Sequence, residues 1–207
     1  MSSLVLPSYS PLVETVKTEA GDRSSQIWLL VNPKYPAVCR DIWIPILEVI
    51  QDKVYRQLHK RIDTKRIFIK NAVSDIGTVS RLSNLCSAEI AEEIAILRKS
   101  ILKHQPKILV TFGPVTYELV RRMLEINQEG PKYWNTVDLE NEFERSMADF
   151  DINRTNKIPL PRRVMVQGKF IDEGNDFWED CDNYFAEIGT KIAARIMENK
   201  DSLNIWI

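Results

Sequence analysis

One stretch decides the fold class of this sequence, Ile27-Trp28-Leu29-Leu30-Val31, which Asn32 and Pro33 follow directly. Its five apolar residues are continuous and do not alternate with polar ones, which is typical of a strand that is buried on both faces. Three more runs have this character, at residues 66–69, 107–112 and 164–166, and helical patterns separate them. This alternation predicts an α/β fold, a three-layer α/β/α sandwich around a central four-stranded parallel sheet.

Length and composition indicate one globular domain. The chain has 207 residues, of which 44% are apolar and 28% are charged. We predict a single domain over residues 1–207, with an N-terminal extension at 1–26 and a helix-containing insertion at 128–161. No apolar run reaches the length of a bilayer-spanning helix, and the N-terminal residues lack a secretory pattern. A cytoplasmic protein with no membrane partner is therefore expected.

Few residues are available to hold a metal or an organic cofactor. The cysteines and histidines are scattered, at Cys39, Cys86, Cys181, His59 and His104, without the spacing of a ligand set. The chain has no GxGxxG, GxxxxGKS/T or GxSxG motif, which argues against dinucleotide-dependent, P-loop and α/β-hydrolase chemistry. The sequence thus predicts no metal and no cofactor.

Two asparagines directly follow predicted strands, Asn32 and Asn71. In a parallel sheet covered by helices, ligands bind beyond the carboxyl ends of the strands. An asparagine amide carries an acceptor and a donor on one short side chain, so it can bind the edge of a nucleobase at two points or orient a water molecule. Each asparagine also fits a turn in which its side chain bonds to the backbone, and both interpretations remain open from the residues alone.

The order and spacing of four motifs resemble the uracil-DNA glycosylase superfamily. The motifs are Trp28-Leu29-Leu30-Val31-Asn32-Pro33-Lys34-Tyr35, Ile67-Phe68-Ile69-Lys70-Asn71, the strand at 107–113 that ends in a glycine, and Arg163-Val164-Met165-Val166-Gln167-Gly168-Lys169. They look like the family's water-activating motif, its base-reading strand, its third strand and its His-Pro-Ser loop. The resemblance spans about residues 26–197 in pattern and implies the four-stranded glycosylase-like sandwich.

The resemblance also implies a mechanism in which a uracil-type base is flipped out of DNA and its N-glycosidic bond is hydrolysed. Asn32 would orient the attacking water, and Gln167 would donate a hydrogen bond to the departing base. Asn71 would bind the base edge, and Tyr35 or Trp43 would stack on its ring. These strand ends, with Gly113, are expected to line one crevice.

The implied partner is single-stranded or damaged DNA, and the implied contacts to its phosphates are Lys34, Lys70 and Lys169. Residues 53–70 hold seven basic residues and one acid, which favours a phosphate-binding patch beside the Asn71 strand. A solvated helix face explains the same charges, so this alternative stays open. The chain as a whole has a net charge of −1 and supplies no general attraction for DNA.

Three departures from the family pattern count against that activity, and the second and third of them favour an alternative function, a non-catalytic member of the fold that binds a free base, a nucleotide or a protein partner. Val31 stands where the family has a small residue, and Gln167 stands where it has a histidine. Residues 172–182 carry six acids and no base, which would repel DNA phosphates.

Overall fold

A computed structural model describes residues 18–31, 43–73, 88–124, 132–160 and 178–207. The strands in these ranges are β1 (Glu19–Ala20), β2 (Ile27–Val31), β3 (Phe68–Asn71), β4 (Ile108–Phe112) and β5 (Asn156–Leu160). The helices are α1 (Ile44–Leu58), α2 (Ala88–His104), α3 (Pro114–Leu124), α4 (Thr136–Ala148) and α5 (Trp178–Glu198). The protein is therefore α/β, as the sequence predicts.

The five strands form one mixed sheet in the order β1-β3-β2-β4-β5. Strands β3, β2, β4 and β5 are mutually parallel, and the two-residue β1 is antiparallel to β3. Val31 lies beside Asn71, and Phe112 lies beside Leu160. The carboxyl ends of the four parallel strands therefore meet at one edge of the sheet. The chain moves outward from β2 to β3 and then back across to β4, which places the switch in strand order between β2 and β4.

Helices cover both faces of the sheet. Alternate residues of β2 enter two separate hydrophobic clusters, since successive side chains of a strand point to opposite faces. Ile27, Leu29 and Val31 pack with α1 and α5, and Trp28 and Leu30 pack with α2 and α3. Below, the first of these surfaces is called the α1 face and the second the α2 face.

The last parallel strand differs from the prediction. The run at 164–166 lies outside the described residues, and the fourth parallel strand that the structure describes is β5, within the segment predicted to be an insertion. That segment does contain the expected helix, α4, which begins at an Asn135–Asp138 capping box. The apolar pattern misses β5 because its sequence is Asn-Lys-Ile-Pro-Leu, in which only the last three residues are apolar. A proline is tolerated there because β5 is an edge strand within the described sheet.

Asn156 fixes the start of β5. The residue is buried, and its side-chain NH2 group donates to the carbonyl oxygens of Lys107, Asp151 and Arg154 at 3.0, 2.8 and 3.2 Å. Its side-chain oxygen accepts a bond from the backbone N–H of Asp151 at 2.9 Å. A single amide thereby closes the turn between α4 and β5, which explains how a polar residue begins a buried strand.

A fully buried carboxylate, that of Glu118, joins α3 to the chain that leads into α4. Arg121 donates two hydrogen bonds to it, each at 2.8 Å. The Trp134 indole and the Lys132 backbone N–H donate two more, at 2.7 and 3.1 Å. Burial alone raises the pKa of Glu118, but the bonds from Arg121, Trp134 and Lys132 outweigh it and hold that pKa below its usual value.

We expect Glu118→Gln to lower the free energy of unfolding at pH 7 by about 3–5 kcal/mol, because the nearly buried Arg121 loses its countercharge. A carboxyl whose pKa is depressed in the folded state stabilises the fold above its unfolded pKa, and that stability is lost as the pH falls. The variant should therefore lose less stability than the wild type as the pH falls from about 5 through 4.5, the usual pKa of the carboxyl, toward its lower pKa in the folded state. Urea unfolding at several pH values measures this difference.

Glu92→Gln is the control, since Glu92 is an exposed carboxylate on α2. Parallel pH profiles for the wild type and Glu118→Gln would contradict the assignment of acid sensitivity to this buried group.

Candidate functional site

The last row of side chains on the α1 face contains one polar residue. Across β3, β2, β4 and β5 this row consists of Asn71, Val31, Phe112 and Leu160, all of them buried. Asn71 is only 4% exposed, and its backbone N–H donates to the Thr18 carbonyl at 2.9 Å. The structure thus places an amide at the carboxyl edge of the sheet, where its row neighbours on the other three parallel strands are apolar.

A cavity of about 370 Å³ lies on the same face, beneath the start of α1. Ile69, which precedes Asn71 by two positions and shares its face, forms part of the wall. Other lining residues come from β1, from the start of α1 and from the turn before β3; they include Ala20, Gly21, Trp43, Thr64 and Lys65. The cavity is mainly apolar and large enough for a small aromatic molecule.

Trp43 lines this cavity from the residue that precedes α1. Its side chain is 7% exposed, and its indole N–H is buried without a hydrogen-bond partner. Its backbone carbonyl accepts the first helical bond, from Leu47 N at 3.0 Å, and Pro45 follows in the first turn. Trp43 also packs in the hydrophobic core, as the core interpretation of this residue predicts, and its stacking on a base stays a prediction.

Gly21 brings β1 close enough to β3 to close the cavity. Its φ of +87° lies in the left-handed region, and a Cβ atom there would stand 1.9 Å from the Ile67 carbonyl oxygen. No sequence pattern predicts this wall, because a two-residue strand is too short to have a hydrophobic period. The Gly21-Asp22 pair is the one available signal, since such pairs mark turns.

Lys70 is paired with an acid. Its ammonium lies 3.5 Å from the Glu19 carboxylate, and strand alternation places it on the α2 face, opposite Asn71. Glu19 also accepts a bond from Arg23 at 2.5 Å. The contacts from Arg23 and then Lys70 hold the pKa of Glu19 below its usual value, although partial burial opposes them. The charge of Lys70 is therefore locally balanced.

Of the basic stretch at 53–70, Lys70 lies in β3 beside Asn71, and the residues before β3 lie toward the other end of that strand. Helix α1 links two parallel strands and so runs back to the amino edge of the sheet, where residues 59–66 lie between α1 and β3. Arg56 pairs with Asp52 at 2.8 Å, and Arg66 pairs with Asp22 at 3.3 Å. The stretch therefore resembles a solvated, partly neutralised surface more than a phosphate groove.

Five of the predicted site residues lie outside the described ranges: Asn32, Lys34, Tyr35, Gln167 and Lys169. Their roles remain predictions. Of the described ones, Asn71 and Trp43 share the α1 face, and Lys70 lies on the other. Gly113, with a φ of +87°, directly follows β4 at the carboxyl edge and leads into α3.

Within the described ranges, no three histidine, cysteine or acidic side chains are grouped so that they could hold a metal ion. None of the described helices combines the length and apolarity needed to cross a membrane. Comparison with family models, curated proteins and solved structures finds no match, so the chain's own geometry carries the functional argument.

We expect Ala20→Leu to raise the free energy of unfolding by about 0.5–1 kcal/mol, because the longer side chain fills part of the 370 Å³ cavity with apolar atoms. Ala20→Ser keeps the volume of the side chain and serves as the control, with no stabilisation expected. Urea denaturation of both variants measures the effect. Equal or lower stability of the leucine variant would show that the cavity cannot accept added atoms.

Proposed function

We propose that the protein binds a uracil-type base on the α1 face of β3 and hydrolyses the N-glycosidic bond of that base in single-stranded or damaged DNA. The observation that carries the proposal is the common placement of buried Asn71 and the cavity lined by Trp43 on one face of β3. The parallel strand order β3-β2-β4-β5, with helices on both faces, supports the glycosylase-like sandwich that the motifs imply.

Asn71 and Trp43 offer complementary groups for such a base. The Asn71 amide can pair with a ring N–H and a ring carbonyl at once. The Trp43 indole N–H is buried without an acceptor, a state that costs about 1–3 kcal/mol, and a carbonyl oxygen of a bound base would satisfy it. A pyrimidine with two carbonyls and an N–H fits this donor and acceptor set.

The chemistry rests on two residues known from the sequence. Asn32 directly follows Val31, whose strand neighbour is Asn71. Asn32 orients a water whose oxygen bonds to the sugar carbon and whose proton passes to solvent, while the bond from that carbon to the base breaks and the base leaves with the electron pair. Gln167 donates a hydrogen bond to the base anion. An asparagine cannot accept the water proton at neutral pH, so positioning replaces general-base catalysis and the reaction is slow. No metal or organic cofactor is required.

The second candidate function is binding of a free base or nucleotide without catalysis. The pairing of Lys70, Arg56 and Arg66 with acids favours it, because these cations are already partly neutralised. The acidic run at 172–182 has the same effect on any approaching phosphate.

Base binding is tested by titrating the full chain with uracil and following tryptophan fluorescence or calorimetric heat. We expect Asn71→Ala to weaken binding about tenfold or more, because two hydrogen bonds to a desolvated ligand are lost. Ala20→Leu should block binding by filling the cavity, and Ala20→Ser should leave it unchanged. Uracil binding that survives both Asn71→Ala and Ala20→Leu would place the base elsewhere.

Catalysis is tested by measuring uracil release from a single-stranded oligonucleotide at low salt. We expect slow release by the wild type, near-complete loss in Asn32→Ala and a faster rate in Gln167→His. One added donor at a developing anion is worth on the order of 10²–10³ in rate. No release by the wild type or by Gln167→His would remove catalysis and leave the second candidate function. An Asn32→Ala variant as fast as the wild type would place the water elsewhere.

Salt dependence separates the two functions. A glycosylase that grips phosphates should bind the oligonucleotide with an affinity that falls steeply between 50 and 200 mM salt, on the order of 10-fold or more even for a few phosphate contacts. A protein that binds only the free base should retain its uracil affinity across this range and show no oligonucleotide binding. Fluorescence anisotropy at several salt concentrations measures both.

A further inference from the structure

The outer side of α2 carries two large apolar side chains that face solvent. Helix α2 packs on the sheet through Ile90, Leu97 and Ile101, which are buried. On its other side Ile96, at the middle of the helix, is 60% exposed, and Leu102 is 58% exposed. Exposed apolar residues that are scattered singly are ordinary on a protein surface, whereas two on the outer side of one helix indicate a contact surface.

A row of charges runs along the helix on both sides of Ile96. At 3.6 residues per turn, four exposed residues of α2 lie within about 60° of one another around the helix axis: Glu92, Ile96, Lys99 and Lys103. This row is acidic before Ile96 and basic after it. The charges are therefore segregated along the helix and are not interspersed with one another.

These charges have no counterpart in the part of the chain that the structure describes. Glu92, Lys99 and Lys103 form no hydrogen bond or ion pair there. Lys99 and Lys103 lie one helical turn apart, so they repel each other. The helix dipole favours acids near the start of a helix and bases near its end, which accounts for the order of the charges. It does not account for an exposed isoleucine at the centre of the row.

A second copy of α2 in the antiparallel direction matches the row. When the two Ile96 side chains face each other across a twofold axis, a residue before Ile96 in one copy meets a residue after it in the other. Glu92 lies about 6 Å before Ile96 along the helix axis, and Lys99 lies about 4.5 Å after it. The acid of each copy therefore meets the base of the other, which gives two ion pairs around one apolar contact.

The flank of the row is also self-complementary. Ala91 and Leu102 lie on one side of the row, about 20° apart around the helix, and both are exposed. Ala91 lies about 7.5 Å before Ile96, and Leu102 lies about 9 Å after it. The same flanks of two antiparallel helices meet, so Leu102 of one copy lies beside Ala91 of the other. The small alanine leaves room for the leucine side chain.

We propose that the protein forms a weak, reversible homodimer through an antiparallel contact between the α2 helices of two copies. The contact lies outside the α2 face, whereas the Trp43 cavity lies on the α1 face, so the homodimer does not depend on the proposed function. One helix from each copy buries less area than the roughly 1,200–2,000 Å² of a stable interface, so dilution to low micromolar concentrations separates the copies.

Sedimentation velocity of the full chain at low salt, from micromolar to millimolar concentrations, measures the association. Ile96→Ser should weaken it about tenfold or more, because both copies lose the central apolar contact. The variant should fold, since Ile96 is exposed in the single copy. Val137→Ser, which removes an exposed apolar side chain from α4, is the matched control and should leave the association unchanged. A wild type that stays monomeric at millimolar concentration, or equal losses in both variants, would overturn the proposal.

Charge reversal tests the antiparallel pairing. Glu92→Lys and Lys99→Glu should each weaken self-association about tenfold or more, because each places like charges opposite one another. When the two variants are mixed, they should associate with each other, since every charged contact then joins opposite signs. The helix dipole alone predicts no such recovery.

Glu48→Lys and Lys53→Glu make the same changes of charge at exposed positions on α1 and serve as the control pair. Each should self-associate as the wild type does, and their mixture should gain nothing. If the α2 variants fail to associate when they are mixed, or if the α1 control pair shows the same recovery, the proposal is overturned.

Discussion

Burial of β2 on both faces is the constraint on which the other layers depend. All five of its residues are buried, with Ile27, Leu29 and Val31 on the α1 face and Trp28 and Leu30 on the α2 face. Each fully buried large apolar side chain stabilises the fold by about 1.5–3 kcal/mol. Because β3 and β4 pair with the two sides of this strand, its position also fixes where their carboxyl ends meet.

The sequence predicts the central part of the sheet well because that part is buried on both faces. Strand β2 is wholly apolar, β4 is apolar except for Thr111, and β3 begins within the apolar run at 67–69; such runs are typical of a parallel sheet that is covered on both faces. The outer strands β1 and β5 cannot be predicted from the apolar pattern, for two physical reasons. The first is too short to have a period, and the second begins with a polar residue whose buried amide is satisfied by a turn.

The candidate site, like the sheet, is predictable from sequence only where a local pattern marks its residues. Asn71 could be found because it ends a recognisable strand, and Trp43 because it follows the first motif and precedes an apolar helix. The cavity beside Trp43 could not be found, because its walls depend on the close approach of Gly21 to Ile67, two residues 46 positions apart whose contact no local pattern encodes. The position of the basic residues likewise depends on the direction of α1, which follows from topology and not from charge counts.

Pro159 of β5 has a consequence for the behaviour of the protein in concentrated solution. The Asn156 N–H points toward β4, since it donates to the Lys107 carbonyl at 3.0 Å, so alternation turns Lys157 and Pro159 outward. Of these two outward positions, Pro159 has no backbone N–H and Lys157 carries a positive charge. A strand from a second molecule would find one donor missing and a cation in its path. Among the described strands, this edge is therefore poorly suited to edge-to-edge pairing with the sheet of a second molecule, the kind of contact that leads to aggregates.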